Sequence, residues 1–321
     1  MPRLFLGLLA LLPLAAQNIT LTGAGYADPT VLRVAPGQVV TLFAAGLQTV
    51  LPNLQVQATT NPLPTTLAGI SVILNQFDLP SRPVPLLSIR QLPLCAPQSQ
   101  TTPAPSCLLT AITVQIPFEL VVIQPLNSAA IPTGIVSLSI SENGGSSQAT
   151  RITPVTDNIH VLTTCDVALS PGASASASCQ PIATHASGAL ITAAAPAQPG
   201  EVIVLWAYGL GATSPSVPTG AASPTPAAVL AQPITLGFEF TPNASPSRPY
   251  FNPLIMAAIA QPAPDFAGLA PGQFGLYQIN VRIPANATYS PACPAVSSNL
   301  TINLAGPSSF DGAPICVQPN P

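Results

Sequence analysis

Charge is what this sequence has least of: Asp, Glu, Lys and Arg together make up 5% of its 321 residues, against about 25% in an ordinary soluble protein. Lysine is absent, and the seven arginines lie scattered from Arg3 to Arg282 without the basic stripe that phosphate neutralisation requires. A nucleic-acid partner is therefore not expected, and a net charge of -3 is too small to steer any charged partner over distance. Histidine is equally scarce, with only His160 and His185. Catalysis by acid, base or nucleophile needs titratable groups that converge, and no G-x-S-x-G elbow, H-E-x-x-H helix or P-loop occurs. Asp157, His160 and Asp166 stand close together as parts of a triad could, but read as solvated residues of a joint, as does His185. Glu239, between Phe238 and Phe240 in an alternating run, should face solvent without the carboxylate partner of a glycosidase pair. The expectation is a protein that is not an enzyme, with no catalytic residues and no cofactor.

Long apolar runs are missing as well. Residues 4–14 form the longest, shorter than the ~20 a membrane-spanning helix needs. Preceded by Met1, Pro2 and Arg3 and followed by Ala15, Ala16 and Gln17, that run has the order of a secretory signal peptide cleaved after Ala16. The expected location is secreted, extracellular or at the cell surface, with no membrane span. Long helices are excluded by 41 prolines, which stop helices and leave β ladders without a donor.

What is present begins with cysteine. Six of them in an exported chain suggest a disulfide framework. Fifteen connectivities are formally open; neighbour pairing would join Cys95 to Cys107, Cys165 to Cys179 and Cys293 to Cys316, each closing a local loop. Zinc is the competing use of cysteine, but no C-x-x-C spacing occurs and the two histidines have no regular placement about the cysteines, so no metal is expected.

Laying the chain on itself exposes a repeat. Residues 35–47, APGQVVTLFAAGL, match residues 198–210, QPGEVIVLWAYGL, at seven of thirteen positions, and ITVQIPF at 112–118 matches INVRIPA at 279–285. The offset drifts only from 163 to 167, a period that indicates duplicated domains rather than a solenoid of short repeats. In each first motif a Pro-Gly turn precedes a nearly continuous β-branched and aromatic run, the pattern of an inner strand. In each second motif Ile112, Val114 and Ile116, or Ile279, Val281 and Ile283, alternate with polar residues, which predicts a strand with one buried face. Further strands are expected at 69–75, 84–90, 135–141, 148–155, 234–241, 254–259 and 300–304, with Asn143-Gly144-Gly145 as a hairpin turn. Many short strands with turn signals predict an all-β fold of two tandem Ig-like β-sandwich domains related by internal duplication, Ig-like in the broad sense. The expected layout is signal peptide 1–16, first sandwich 17–157, a disulfide-stapled linker 158–187, and second sandwich 188–321, with residues 313–321 as a short tail partly tied by Cys316.

Residues 185–211, HASGALITAAAPAQPGEVIVLWAYGLG, followed by GLYQINVRIP at 275–284, resemble the Solibacter-type C-terminal domain of secreted acidobacterial proteins. The resemblance covers about 158–316. The first half is similar but has Leu47-Gln48 where the family has Leu-Gly, and lacks Gly-Leu-Tyr before its second motif. This likeness implies an extracellular β-sandwich module and supplies no catalytic residues. Together these readings lead to a secreted or cell-surface structural or adhesion-type protein. The alternative is an extracellular module binding carbohydrate or a surface protein, with Tyr208 and Tyr277 as candidate ligand contacts; Tyr250 and Phe251 are further aromatics of that kind. Asn18, Asn243, Asn286 and Asn299 head N-x-S/T triplets expected to arise by chance in so Ser/Thr-rich a chain.

Overall fold

Turn dipeptides and prolines cut this chain into short extended runs, and a computed structural model folds them as strands. It describes residues 19–23, 32–77, 79–95, 103–122, 136–166, 179–249, 263–287, 289, 293 and 298–319. The signal segment, the strand expected at 254–259, Tyr250 and Phe251 lie outside the described residues. The fold is all-β: among the described residues there is no α-helix, only 3-10 turns at Pro52–Leu54 and Pro105–Cys107.

The first half contains β1 (Thr20–Gly23), β2 (Leu32–Val34), β3 (Val39–Ala45), β4 (Gln55–Gln57), β5 (Thr66–Leu67) and β6 (Ile70–Gln76). There follow β7 (Arg82–Val84), β8 (Leu86–Pro93), β9 (Leu108–Gln115), β10 (Val136–Glu142), β11 (Gly145–Ser146) and β12 (Thr150–Pro154). One sheet runs β1-β3-β9-β8-β4; the other runs β2-β12-β10-β6-β5, with β7 on β6 and β11 on β10. Asn143 and Gly144, both at positive φ (48° and 89°), make the tight turn from β10 into β11. Between the sheets lie Val40, Leu42 and Ala44 of β3 and Ile112 and Val114 of β9, against Val72 and Leu74 of β6 and Leu138 and Ile140 of β10. Each such side chain stabilises the fold by roughly 1.5–3 kcal/mol through removal from water.

The second half contains β13 (His160–Val161), β14 (Ala183–His185), β15 (Val202–Tyr208), β16 (Thr213–Ser214) and β17 (Val229–Leu230). It continues with β18 (Thr235–Glu239), β19 (Phe266–Leu269), β20 (Tyr277–Arg282), β21 (Leu300–Ala305) and β22 (Phe310–Ile315). One sheet runs β13-β15-β20-β19-β17-β16 with β14 beside β15, and the other β18-β21-β22. A second, separate core includes Ile203, Leu205, Tyr277, Ile279, Leu236, Ile302, Leu304 and Ile315.

The repeated motifs pair with one another, and in one register. Val39 lies opposite Gln115 in the first half and Val202 opposite Arg282 in the second. Gly37 donates to Ile116 O at 3.0 Å, and Gly200 to Ile283 O at 3.0 Å. Gln38 Oε1 accepts from Ala35 N at 2.8 Å, as Glu201 Oε2 accepts from Gln198 N at 2.8 Å. In both halves the stretch before the Pro-Gly turn pairs in parallel with the final strand: β2 with β12, and Ala197 with Val317.

Three expectations require correction. Within the expected linker 158–187, residues 160–161 and 183–185 form β13 and β14, which both pair with β15 and so make a two-piece edge strand of the second half. Thr113 and Gln115 are buried at 6% and 0% exposure rather than facing solvent: the Thr113 hydroxyl meets that of Thr41 on the neighbouring strand, and the second half packs on Gln115, whose Oε1 accepts from Gly220 N at 2.8 Å. Within the expected tail 313–321, β22 runs to Ile315 and Val317 pairs in parallel with Ala197, so this part belongs to the second sandwich. Neighbour pairing of the cysteines holds at all three sites: Cys95–Cys107, Cys165–Cys179 and Cys293–Cys316.

Candidate functional site

With so few ionisable residues, any reactive centre has to be sought where they meet, and the fullest meeting is around His160. Its strand β13 places it opposite Tyr208 of β15. The Cys165–Cys179 bridge adjoins Asp166, whose Oδ2 accepts from Thr163 N at 2.6 Å. His160 Nε2 then stands 2.8 Å from Asp166 Oδ1, and Nδ1 stands 3.7 Å from Asp311 Oδ2 on β22. Asp311 also accepts from Val161 N at 2.8 Å, tying the edge of one sheet to the other.

Burial pulls the His160 pKa down, but the Asp166 hydrogen bond and the charges of Asp166 and Asp311 outweigh it and hold it above the ordinary value. For Asp166, burial works upward but the bonds to His160 and Thr163 prevail, and its pKa is lowered. Asp311 is raised, chiefly by burial. His160 thus has a hydrogen-bonded carboxylate at Nε2 and a second carboxylate within ion-pair reach of Nδ1, a setting that favours its charged form. Thr163, the neighbouring hydroxyl, points its Oγ1 at Asp166 Oδ2, 3.3 Å away.

His185 repeats the arrangement at the other piece of the edge strand. Its Nδ1 lies 2.6 Å from Glu201 Oε1 and its Nε2 lies 3.2 Å from the Ala195 carbonyl. The Glu201 hydrogen bond is the main cause of a raised pKa. Asp157, expected in solvent beside His160, is 2% exposed and turned elsewhere. Its Oδ1 accepts from Ser309 N (2.8 Å) and Ser309 Oγ (2.6 Å), and its Oδ2 from Ser308 N at 2.8 Å. Of the three residues adjacent in sequence, the fold thus joins His160 to Asp166 and adds Asp311, which sequence reading missed. The spacing from 166 to 311 carries no local signal.

The candidate ligand contacts fare differently. Tyr277 is fully buried and donates its hydroxyl to Gly211 O, so it offers no face to a ligand. Its place was readable from parity, because it shares the i, i+2, i+4 rhythm of Ile279 and Val281. Tyr208 lies with Trp206 on the opposite, half-buried face of β15, and burial together with the Asp166 charge pushes its phenol up to about 12. Beside Trp206 runs Gln278, whose Nε2 donates to Asn280 Oδ1 at 2.9 Å. Glu239 is exposed, as its alternation predicted, and accepts from Thr241 N at 2.9 Å. Asn299 is fully buried, its amide clamping the Val317 backbone at 2.7 and 2.9 Å, so this triplet is closed to glycosylation in the folded protein.

A cavity of about 240 Å³ opens where the halves meet, lined mainly by Pro36, Phe118, Leu120, Leu210, Ile234 and Pro307, with Thr156 and Gln232 at its polar side. Among the described residues no group of three or more His, Cys, Asp or Glu is arranged to hold a metal. No helix among them is long and apolar enough to cross a membrane. No protein-family model matches the chain, and no curated protein matches it either.

Proposed function

We propose that this chain is an exported, non-enzymatic structural or adhesion-type protein of the cell surface, two duplicated Ig-like sandwiches of the Solibacter-type C-terminal kind fixed to one another. The observation that carries the reading is the use made of its carboxylates. Among the eight carboxylates of the described residues, six accept hydrogen bonds from backbone N–H groups: Glu142, Asp157, Asp166, Glu201, Glu239 and Asp311. Glu142, fully buried, takes both Gln48 N and Thr49 N at 2.8 Å. A carboxylate so engaged is a fastener for a loop, and its lone pairs are occupied. Three disulfides fit an oxidising compartment and add to the same economy of rigid, short-stranded construction. Duplication is supported by the shared register of the paired motifs.

A second reading, binding of extracellular carbohydrate or a surface protein, draws on the half-buried row of Trp206 and Tyr208 beside Gln278 and Asn280. Fractionation of the producing cell, followed by a hydrolase panel and a glycan array on the purified protein, tests both. The structural reading expects surface or medium location with neither turnover nor saturable binding. Turnover abolished by His160→Gln would overturn it in favour of an enzyme. Saturable glycan binding lost on Tyr208→Ala would replace it by the second reading.

A further inference from the structure

The only two histidines of the chain sit on the two pieces of one edge strand, β13 and β14, which flank β15 on the same side. We propose that they form a two-proton latch that keeps this edge closed in mildly acidic solution and releases it as pH rises past neutrality. The His185 ring meets an acceptor at both nitrogens, Glu201 and the Ala195 carbonyl, while the His160 ring is hydrogen-bonded to Asp166 at 2.8 Å and has the Asp311 carboxylate 3.7 Å from its other nitrogen. A neutral imidazole carries one N–H and one lone pair. Deprotonation therefore sets a lone pair against an oxygen at His185, and at His160 it removes the cation between two carboxylates.

The remaining charged or titratable neighbours are few. Tyr208 faces His160 from β15, its phenol held neutral far above this range. Near His185, Arg282 of β20 reaches Gly200 O at 3.2 Å and pairs with Asp265 at 3.0 Å. Folding that raises a histidine pKa contributes stability fully present below the unfolded value, about 6.5, and lost as pH climbs through the folded one. Asp311, raised, acts in the same sense at lower pH; Asp166, lowered, contributes above its unfolded value and loses that only in stronger acid. The latch is thus closed between the acid range of Asp166 and the folded histidine values. Its opening bares an edge of β15, an unpaired row of backbone donors and acceptors.

Long-range ¹H–¹⁵N spectra of the full-length protein would read both ring nitrogens directly, and both rings should be doubly protonated at about pH 5.5. Amide exchange at Val161 and Ile191, corrected for intrinsic rates, should quicken toward about pH 8. The midpoint of thermal unfolding should fall by about 2 °C or more over the same interval. In the double variant His160→Gln, His185→Gln the fall should vanish. A singly protonated ring at about pH 5.5, a wild-type midpoint that stays level, or a double variant with the same slope as wild type would each sink the latch. If the double variant does not fold, the wild-type spectra and midpoints decide.

Discussion

Asp157 joins chain segments about 150 residues apart by accepting from the backbone N–H groups of Ser308 and Ser309. Replacing it by Ala leaves the buried Ser309 amide and the half-buried Ser308 amide without that acceptor, at roughly 1–3 kcal/mol for a buried group so stranded. Asp157→Ala should therefore lower the unfolding free energy by about 2–4 kcal/mol in a urea titration, and Asp157→Asn, which keeps one acceptor oxygen, by about half of that. Gly209 makes a sharper case. Its φ is +75°, and a Cβ there would lie 2.1 Å from the Asn158 carbonyl, so the repeated Ala-x-Gly-Leu ending of the strand has a steric reason. Gly209→Ala should destabilise by more than the ~1 kcal/mol of left-handed strain alone, measured in the same titration. The glycine and its place after a strand were legible in the repeat; the carbonyl it admits was not, because Asn158 reaches it from the chain between the halves.

Among elements, the inner strands were the most legible. β3 and β15 announced themselves by seven-residue runs of β-branched and aromatic side chains, and β20 by strict alternation, because burial writes a period into any strand long enough to show one. β13 and β14 are two and three residues long, too short to carry a period, so they passed for a linker. The polar face of β9 was misread for another reason: what covers Gln115 arrives from residue 220, and no property of the strand itself encodes that. The cysteine spacing did mark the region correctly. Opening the Cys165–Cys179 bridge with a paired Cys→Ser change removes a closed loop worth on the order of 3 kcal/mol in chain entropy. Hydrogen exchange should then rise at Val161 and Thr184 well before it rises at Leu205 or Ile279.

At the scale of the whole molecule the two cores are separate but not independent. Phe118 of the first half packs against the second core, and its backbone N–H donates to Thr219 Oγ1 at 2.8 Å. Asn158 Nδ2 donates to Arg33 O at 3.0 Å, and Leu63 N donates to Gly220 O at 2.8 Å. Calorimetry of the intact chain should show one cooperative transition. Phe118→Ala, which removes a half-buried ring from the joint, should cost about 2 kcal/mol and split that transition or broaden it; a sharp single peak at an unchanged temperature would mean the joint contributes little. The partition into two halves was visible in the repeat period, whereas the glue between them, made of glycines, amides and one aromatic ring, has no pattern along the chain.

The parallel pairing of Ala197 with Val317 has a temporal consequence. Gln198 and Gln318, beside that bridge, are 120 positions apart, and their side chains touch. A ribosome delivers the first of these long before the second, so the second half has to wait, with its aliphatic interior uncovered, until its closing segment emerges. The first half faces the same delay between Val34 and Val155, but it can finish while its successor is still being made. In a chain that folds in the order of its synthesis, the first sandwich would thus be complete before the second, and the Phe118 contact would form last, when the second core it packs against has closed.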